Sequence, residues 1–104
     1  MANRRKKNPS PSHERTAKKI ASKYRADYPP KSGVDIVTGD VAIEVETPGG
    51  VKQGIQQLRG HRKRSYIAGT NQQAVEEALD KTKGTTIGVM DNQGNIIKRS
   101  TRKK

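Results

Sequence analysis

The sequence contains no cysteine, phenylalanine or tryptophan, and tyrosine occurs three times in 104 residues. The absence of cysteine excludes a disulfide framework and a thiolate metal site. The scarcity of aromatic rings argues against a single-strand binder built on base-stacking platforms. No apolar run has the length of a membrane span or a signal-peptide core. We therefore expect a cytoplasmic protein with no membrane partner.

Negative charge is also scarce. The 10 acidic residues face 22 lysines and arginines, which leaves a formal net charge of +12. Such an excess favours a polyanionic partner, because neutralising phosphates releases condensed counterions. DNA is the expected partner and RNA is not excluded by charge. Binding to acidic proteins or to membrane surfaces is the alternative interpretation.

The positive charge is concentrated at the two ends of the chain, where nine of the 22 basic residues lie. Both ends lack apolar periodicity, which predicts a flexible basic arm over 1–11, one domain over 12–98 and a basic tail over 99–104. The arms contact nucleic acid or, in the alternative, only maintain solubility. The candidate nucleic-acid-binding residues are Arg4, Arg5, Lys6, Lys7, Lys52, Arg59, Arg62, Lys63, Arg64, Arg99 and Arg102.

Hydrophobic periodicity and turn residues predict an α/β fold, with helices covering a mixed central sheet. Thr70 and Gln73 form a candidate capping box for the third helix. In chain order we expect a helix over 12–28, strands over 34–38 and 41–46, a helix over 51–63, a strand over 66–69, a helix over 71–83, and strands over 86–90 and 96–98.

The first two strands form a predicted hairpin around Gly39-Asp40. A two-residue loop places Thr38 opposite Val41 and therefore Ile36 opposite Ile43. Because side chains alternate between the faces of a strand, five apolar residues share one face of this hairpin. They are Val34, Ile36, Val41, Ile43 and Val45.

Four of the ten acids fall in the same hairpin, with no lysine or arginine among them: Asp35, Asp40, Glu44 and Glu46. The register places Asp35 directly opposite Glu44, with Cβ atoms about 5 Å apart, and Glu46 two residues further on. Like charges at this distance repel unless a cation or protons neutralise them. The cluster therefore predicts a cation site. A solvent-facing polar side of the hairpin is the alternative.

Glu14 lies near the apolar stripe of the first helix. In the ordinary interpretation it is a first-turn acid favoured by the helix dipole. His13 and His61 are isolated histidines, a pattern more typical of surface or phosphate-contacting residues than of metal ligands.

These residues together resemble the PD-(D/E)XK nuclease superfamily, and within it small archaeal Holliday-junction-resolvase-like and restriction-endonuclease-like proteins. The matching features are Glu14 on a helix, Asp35 on a strand, and Glu44 and Glu46 on the next strand, followed by a glutamine-rich helix and a further strand. The resemblance covers residues 12–70. It implies a restriction-endonuclease-like sandwich in which the family's first strand is missing or reduced to 28–31.

The resemblance also implies a site that binds Mg²⁺ or Mn²⁺ through Glu14, Asp35 and Glu44. Glu46 stands where the family usually has lysine, and it is a further candidate ligand or a residue that orients water. Gln53 completes the candidate catalytic set. Lys52 or Lys31 is a candidate to supply, from another position in the chain, the ammonium group of the lysine that Glu46 replaces. Hard oxygen ligands select Mg²⁺ or Mn²⁺ over softer metals.

The expected function is that of a Mg²⁺-dependent endonuclease for duplex or branched DNA. Cutting both strands would favour a homodimer with twofold symmetry. The second interpretation is a non-catalytic nucleic-acid-binding protein on a degenerate nuclease fold. The third is a basic module associated with ribosomes or chromatin. Metal-dependent cleavage distinguishes the first from the other two.

Overall fold

A computed structural model describes residues 11–28 and 34–101. Within these residues the fold is α/β, as expected, with a five-stranded mixed sheet and three helices. The predicted order of elements is confirmed. The elements are α1 (Pro11–Lys23), β1 (Ile36–Val37), β2 (Val41–Glu46), α2 (Val51–Leu58), β3 (Arg64–Gly69), α3 (Gln72–Lys81), β4 (Gly88–Met90) and β5 (Ile96–Lys98).

The strands lie side by side in chain order, β1-β2-β3-β4-β5. The two edge pairs are antiparallel hairpins, and the central pairs β2–β3 and β3–β4 are parallel. Parallel neighbours need a crossover connection. Helices α2 and α3 supply these two connections, so the carboxyl ends of β2, β3 and β4 meet at one edge of the sheet.

The sheet separates two apolar clusters, because successive side chains point to opposite faces. Ala17, Ile20 and Ala21 of α1 pack on one face, where Tyr66 and Ala68 of β3 also lie. Helices α2 and α3 cover the other face, where Ile67 of β3 packs beside Ala42 of β2 and Val89 of β4. The expectation of helices flanking a mixed sheet is therefore confirmed as a three-layer arrangement.

Helix α1 ends at Lys23, earlier than the predicted end at residue 28. Arg25 adopts φ = 58°, and the Ala26 N–H donates to the Ala21 carbonyl at 2.8 Å. This pattern is a Schellman C-cap, in which glycine usually takes the left-handed position. An arginine occupies it here, so no glycine in the sequence marks this end of the helix. Tyr28 lies beyond the helix instead of on its apolar stripe.

The predicted capping residue of α3 is wrong. The N-cap is Asn71, whose side chain accepts a hydrogen bond from the Ala74 N–H at 2.9 Å. Thr70 instead precedes the cap at the end of β3, and its buried hydroxyl has no hydrogen-bond partner among the described residues. Helix α2 is also shorter than predicted, since it ends at Leu58 and not at residue 63.

The predicted hairpin register is confirmed. The Thr38 N–H donates to the Val41 carbonyl at 2.9 Å, and Ile36 pairs with Ile43. The predicted placement of Val34 is wrong, because it packs with the α2–α3 cluster and not beside Ile36. The chain leaves the β1–β2 ladder before Ile36, so the alternation of faces does not extend to Val34.

The folded region extends slightly beyond the predicted domain. The Ser100 hydroxyl and the Thr101 N–H both donate to the Thr86 carbonyl, at 2.8 and 3.0 Å. The remainder of both basic arms, and the reduced strand expected at 28–31, lie largely outside the described residues. So do the candidate residues Arg4, Arg5, Lys6, Lys7, Lys31 and Arg102.

Candidate functional site

Asp35 and Glu44 meet where the β1–β2 hairpin leaves the sheet. The Asp35 N–H donates to Glu44 Oε1 at 3.2 Å, and the Val45 N–H donates to Asp35 Oδ2 at 2.9 Å. Continuation of the ladder would pair Val45 with Val34 through backbone atoms. The Asp35 carboxylate takes that N–H instead. The predicted juxtaposition of Asp35 and Glu44 is therefore observed, and the Asp35 carboxylate replaces a backbone partner in the ladder.

A histidine from α1 completes this arrangement. His13 Nε2 lies 3.1 Å from Asp35 Oδ2, and the two side chains are 15% and 16% exposed. His13 precedes Ala17 and Ile20 by four and seven residues, so it lies on the buried stripe of α1. From the sequence alone, His13 is an isolated histidine and is not among the predicted site residues. Its spacing from that stripe is the signal that could identify it.

The charges at this site are strongly coupled. Glu44 is 2% exposed, and burial together with the adjacent Asp35 charge raises the pKa of Glu44 to about 10. Burial alone would raise the pKa of Asp35, but hydrogen bonds with the His13 and Glu44 side chains and from the Val45 N–H outweigh it and lower that pKa. The hydrogen bond to Asp35 raises the pKa of His13. Both raised pKa values favour the protonated forms of Glu44 and His13, which lowers the negative charge of the cluster.

Glu46 points toward α2, where two glycines make room for it. A Cβ atom on Gly54 would lie 2.7 Å from Glu46 Oε2, and one on Gly50 would lie 2.7 Å from Oε1. Glycine costs about 1 kcal/mol relative to alanine inside a helix. The carboxylate therefore occupies a space that only glycine at both positions leaves open, beside the positive end of the α2 dipole.

Glu14 lies at the margin of the cluster, in the first turn of α1. Tyr28 donates its hydroxyl hydrogen bond to Glu14 Oε2 at 3.3 Å. Burial, followed by the charges of Glu14 and Asp35, raises the pKa of Tyr28 to about 12. We call His13, Glu14, Asp35, Glu44 and Glu46 the carboxylate site.

Gln53 and Lys52 are exposed on α2 and have different positions relative to Glu46. Gln53 follows Gly50 by three residues, so it lies on the flank of the helix next to the carboxylate site. Lys52 lies midway between Gly50 and Gly54, which places its Cβ on the opposite side of the helix. The suggestion that Lys52 replaces the missing lysine of the motif is not supported by this placement.

Several candidate nucleic-acid-binding residues lie at the far end of the sheet. Arg64 pairs with Val41 and Gly69 pairs with Glu46, so Arg64 is about 17 Å along the strands from the carboxylate end. Arg62 and Arg64 are exposed there. Lys63 donates to the Thr38 carbonyl at 2.7 Å and thereby supports the hairpin. Arg99 is exposed after β5.

Within residues 11–28 and 34–101, no group of three or more His, Cys, Asp or Glu side chains is arranged to hold a metal ion. None of the helices in this part of the chain has both the length and the apolar character to cross a membrane. The chain matches no known protein-family model, no curated protein and no solved structure.

Proposed function

We propose that the chain is a metal-dependent endonuclease of the PD-(D/E)XK kind, with a restriction-endonuclease-like fold, that hydrolyses duplex or branched DNA. The observation that carries this proposal is the contact between Asp35 and the buried Glu44, with Glu46 two residues further along the same strand. Desolvation and mutual repulsion both oppose the ionisation of two adjacent carboxylates, and a bound cation relieves this cost as a proton does.

The order of elements supports the proposal. A helix that carries Glu14 is followed by the hairpin, by α2 and by the parallel strand β3. This is the order that the resemblance implies for residues 12–70. The acids come from the β1–β2 hairpin and from α1, which packs on the opposite face of the sheet to α2. These elements converge at the carboxyl end of β2. Ligands commonly bind at such ends in open α/β sheets.

The donor set suits Mg²⁺ or Mn²⁺. These ions prefer carboxylate oxygens, and Mg²⁺ is usually held by one or two carboxylates together with waters and substrate phosphates. Asp35 and Glu44 would be the principal ligands, with Glu46 and Glu14 as further candidates. When bound, the ion would supply an activated water and would neutralise charge on the phosphate that is cleaved. Because waters and substrate phosphates complete the coordination of Mg²⁺, the protein does not need to supply three ligands before the substrate binds.

The protein's own residues orient this donor set. His13 and the Val45 N–H both form hydrogen bonds with Asp35 Oδ2. These bonds fix the orientation of the carboxylate, so Oδ1 is the oxygen that would bind the metal. The α2 glycines position Glu46 beside the cluster, where its carboxylate is a candidate general base. Gln53 lies on the same flank of α2 and is available to a substrate phosphate.

A non-catalytic DNA-binding protein on the same fold is the second candidate. It is favoured by the hydrogen bond between His13 and Asp35, which satisfies one carboxylate oxygen without a metal. Glu46 in the position usually held by lysine favours it as well. In this function the carboxylates would only repel DNA, so neutralising any of them would tighten binding.

The test is a cleavage assay on single-stranded, duplex and four-way-junction DNA with Mg²⁺, with Mn²⁺ and with EDTA. We expect cleavage that requires the metal, and its loss in Asp35→Asn and Glu44→Gln with DNA affinity retained. Asp80→Asn and Glu76→Gln are matched controls, because both acids are exposed on α3. Glu14→Gln should reduce cleavage less. A wild-type protein that cuts none of these DNAs with either metal would replace the proposal by the second candidate.

A further inference from the structure

A second candidate site lies between α2 and α3, away from the carboxylate site. Three cationic side chains surround one pocket of about 290 Å³: Lys52 and Arg59 of α2 and Lys81 of α3. Ile55 and Gln56 form the rest of its lining. We call this site the basic pocket. The sequence pattern indicates Lys52 and Arg59 as DNA-binding residues, but only the packing of the two helices adds Lys81.

Among the described residues, no acid of α3 forms a salt bridge with Lys52, Arg59 or Lys81. Glu77, one turn before Lys81, accepts a hydrogen bond from the Gly49 N–H at 2.9 Å. Asp80 lies 3.6 Å from the Lys83 ammonium group. None of the lining residues in the described part of the chain is acidic. The three positive charges therefore converge without a carboxylate among them, which favours an anionic ligand.

The shape and lining of the basic pocket favour an extended polyanion. Lys52 and Arg59 are seven residues apart, so their Cα atoms are separated by about 10 Å along the axis of α2. A chain of phosphates reaches both positions more readily than a single phosphate does. The described residues that line the pocket include no aromatic ring for base stacking, and lysine and arginine side chains in such a setting bind the backbone.

We propose that the basic pocket binds the phosphodiester backbone of nucleic acid, with Lys52, Arg59 and Lys81 contacting phosphates. The choice of nucleic acid as the anion rests on the proposed function, but the site does not depend on catalysis. Lys52 and the glycines that accommodate Glu46 lie on opposite sides of α2. The bound nucleic acid would therefore contact both flanks of this helix, and the basic pocket would contribute affinity and not chemistry.

The test compares two triple variants that remove identical charge. The pocket variant is Lys52→Gln, Arg59→Gln, Lys81→Gln. The control is Arg15→Gln, Lys18→Gln, Lys19→Gln, which removes exposed cations of α1 on the opposite face of the sheet. All six side chains are exposed, and thermal melts establish that both variants are folded. Duplex DNA affinity is measured by fluorescence anisotropy across a KCl series in EDTA, where no cleavage occurs.

We expect the pocket variant to bind about tenfold or more weakly, and the slope of log K against log salt to fall by about 0.9 for each phosphate that the variant no longer neutralises. The control should bind clearly more tightly than the pocket variant. Equal affinities and slopes in the two variants would overturn the proposal. So would a defect confined to anionic phosphatidylserine vesicles or to inorganic phosphate, with DNA binding unchanged. These binding measurements need no metal. The proposal for the basic pocket can therefore be tested even if the protein fails to cleave DNA.

Discussion

At the scale of single residues, Glu44 links the carboxylate site to stability. The native state keeps the proton of Glu44 up to a pKa of about 10, whereas the usual value is 4.5. Between these values the unfolded state binds fewer protons than the native state, so stability falls as pH rises. The raised pKa of His13 acts in the same direction. The lowered pKa of Asp35 acts in the opposite direction, at acidic pH.

Glu44→Gln is therefore expected to stabilise the metal-free protein at pH 8 by on the order of 1–3 kcal/mol, since glutamine removes the cost of holding the proton. Thermal or urea melts in EDTA from pH 5 to 9 measure this, with the exposed Glu76→Gln as control. The difference from wild type should grow with pH. If the difference in stability between the wild type and Glu44→Gln stays constant from pH 5 to 9, Glu44 does not carry a raised pKa. Added Mg²⁺ should stabilise the wild type and not Glu44→Gln.

Gly54 tests the placement of Glu46. In Gly54→Ala the new Cβ would lie 2.7 Å from Oε2 and 2.8 Å from Cγ of Glu46, so the carboxylate has to move. Alanine gains about 1 kcal/mol of helix propensity, which offsets part of the clash. We expect little change in melting temperature and a clear fall in single-turnover cleavage. Gly60→Ala is the control, because no described residue beyond its chain neighbours has an atom within 4 Å of its Cβ position. Full cleavage by Gly54→Ala would mean that the position of Glu46 is unimportant.

At the scale of elements, two adjacent polar residues at the start of α3, Thr70 and Asn71, have different roles. Asn71→Ala removes the capping bond to the Ala74 N–H and should cost about 1 kcal/mol of the free energy of unfolding. Thr70→Val removes a buried hydroxyl that has no partner in the described part of the chain, so it should be neutral or slightly stabilising. Urea melts of both variants measure the difference. The reverse ranking would restore Thr70 as the cap.

At the scale of the whole molecule, the basic arms should set the salt dependence of DNA binding. Removing residues 1–7 and 102–104 deletes seven of the 22 basic side chains. The salt slope should fall by about 0.9 for each phosphate that these side chains neutralise in the full-length protein. Cleavage of saturating DNA should persist, because the carboxylate site lies between His13 and Glu46. An unchanged affinity and slope would show that the arms serve only solubility.

The sequence predicts those features that depend on short-range geometry. The two-residue turn at Gly39-Asp40 determines the hairpin register, so the meeting of Asp35 and Glu44 follows from counting residues. The order of elements follows from hydrophobic periodicity in the same way. The excess of basic charge is a property of composition alone.

Other features are decided by interactions between residues distant in the chain. The end of α1 depends on a left-handed arginine, and Val34 changes clusters because Asp35 takes the Val45 N–H in its place. His13 reaches Asp35 across 22 residues. Lys81 joins the basic pocket only because α3 packs beside α2. Local periodicity fixes which face of an element a residue occupies, but only the packing of helices on the sheet fixes which side chains meet.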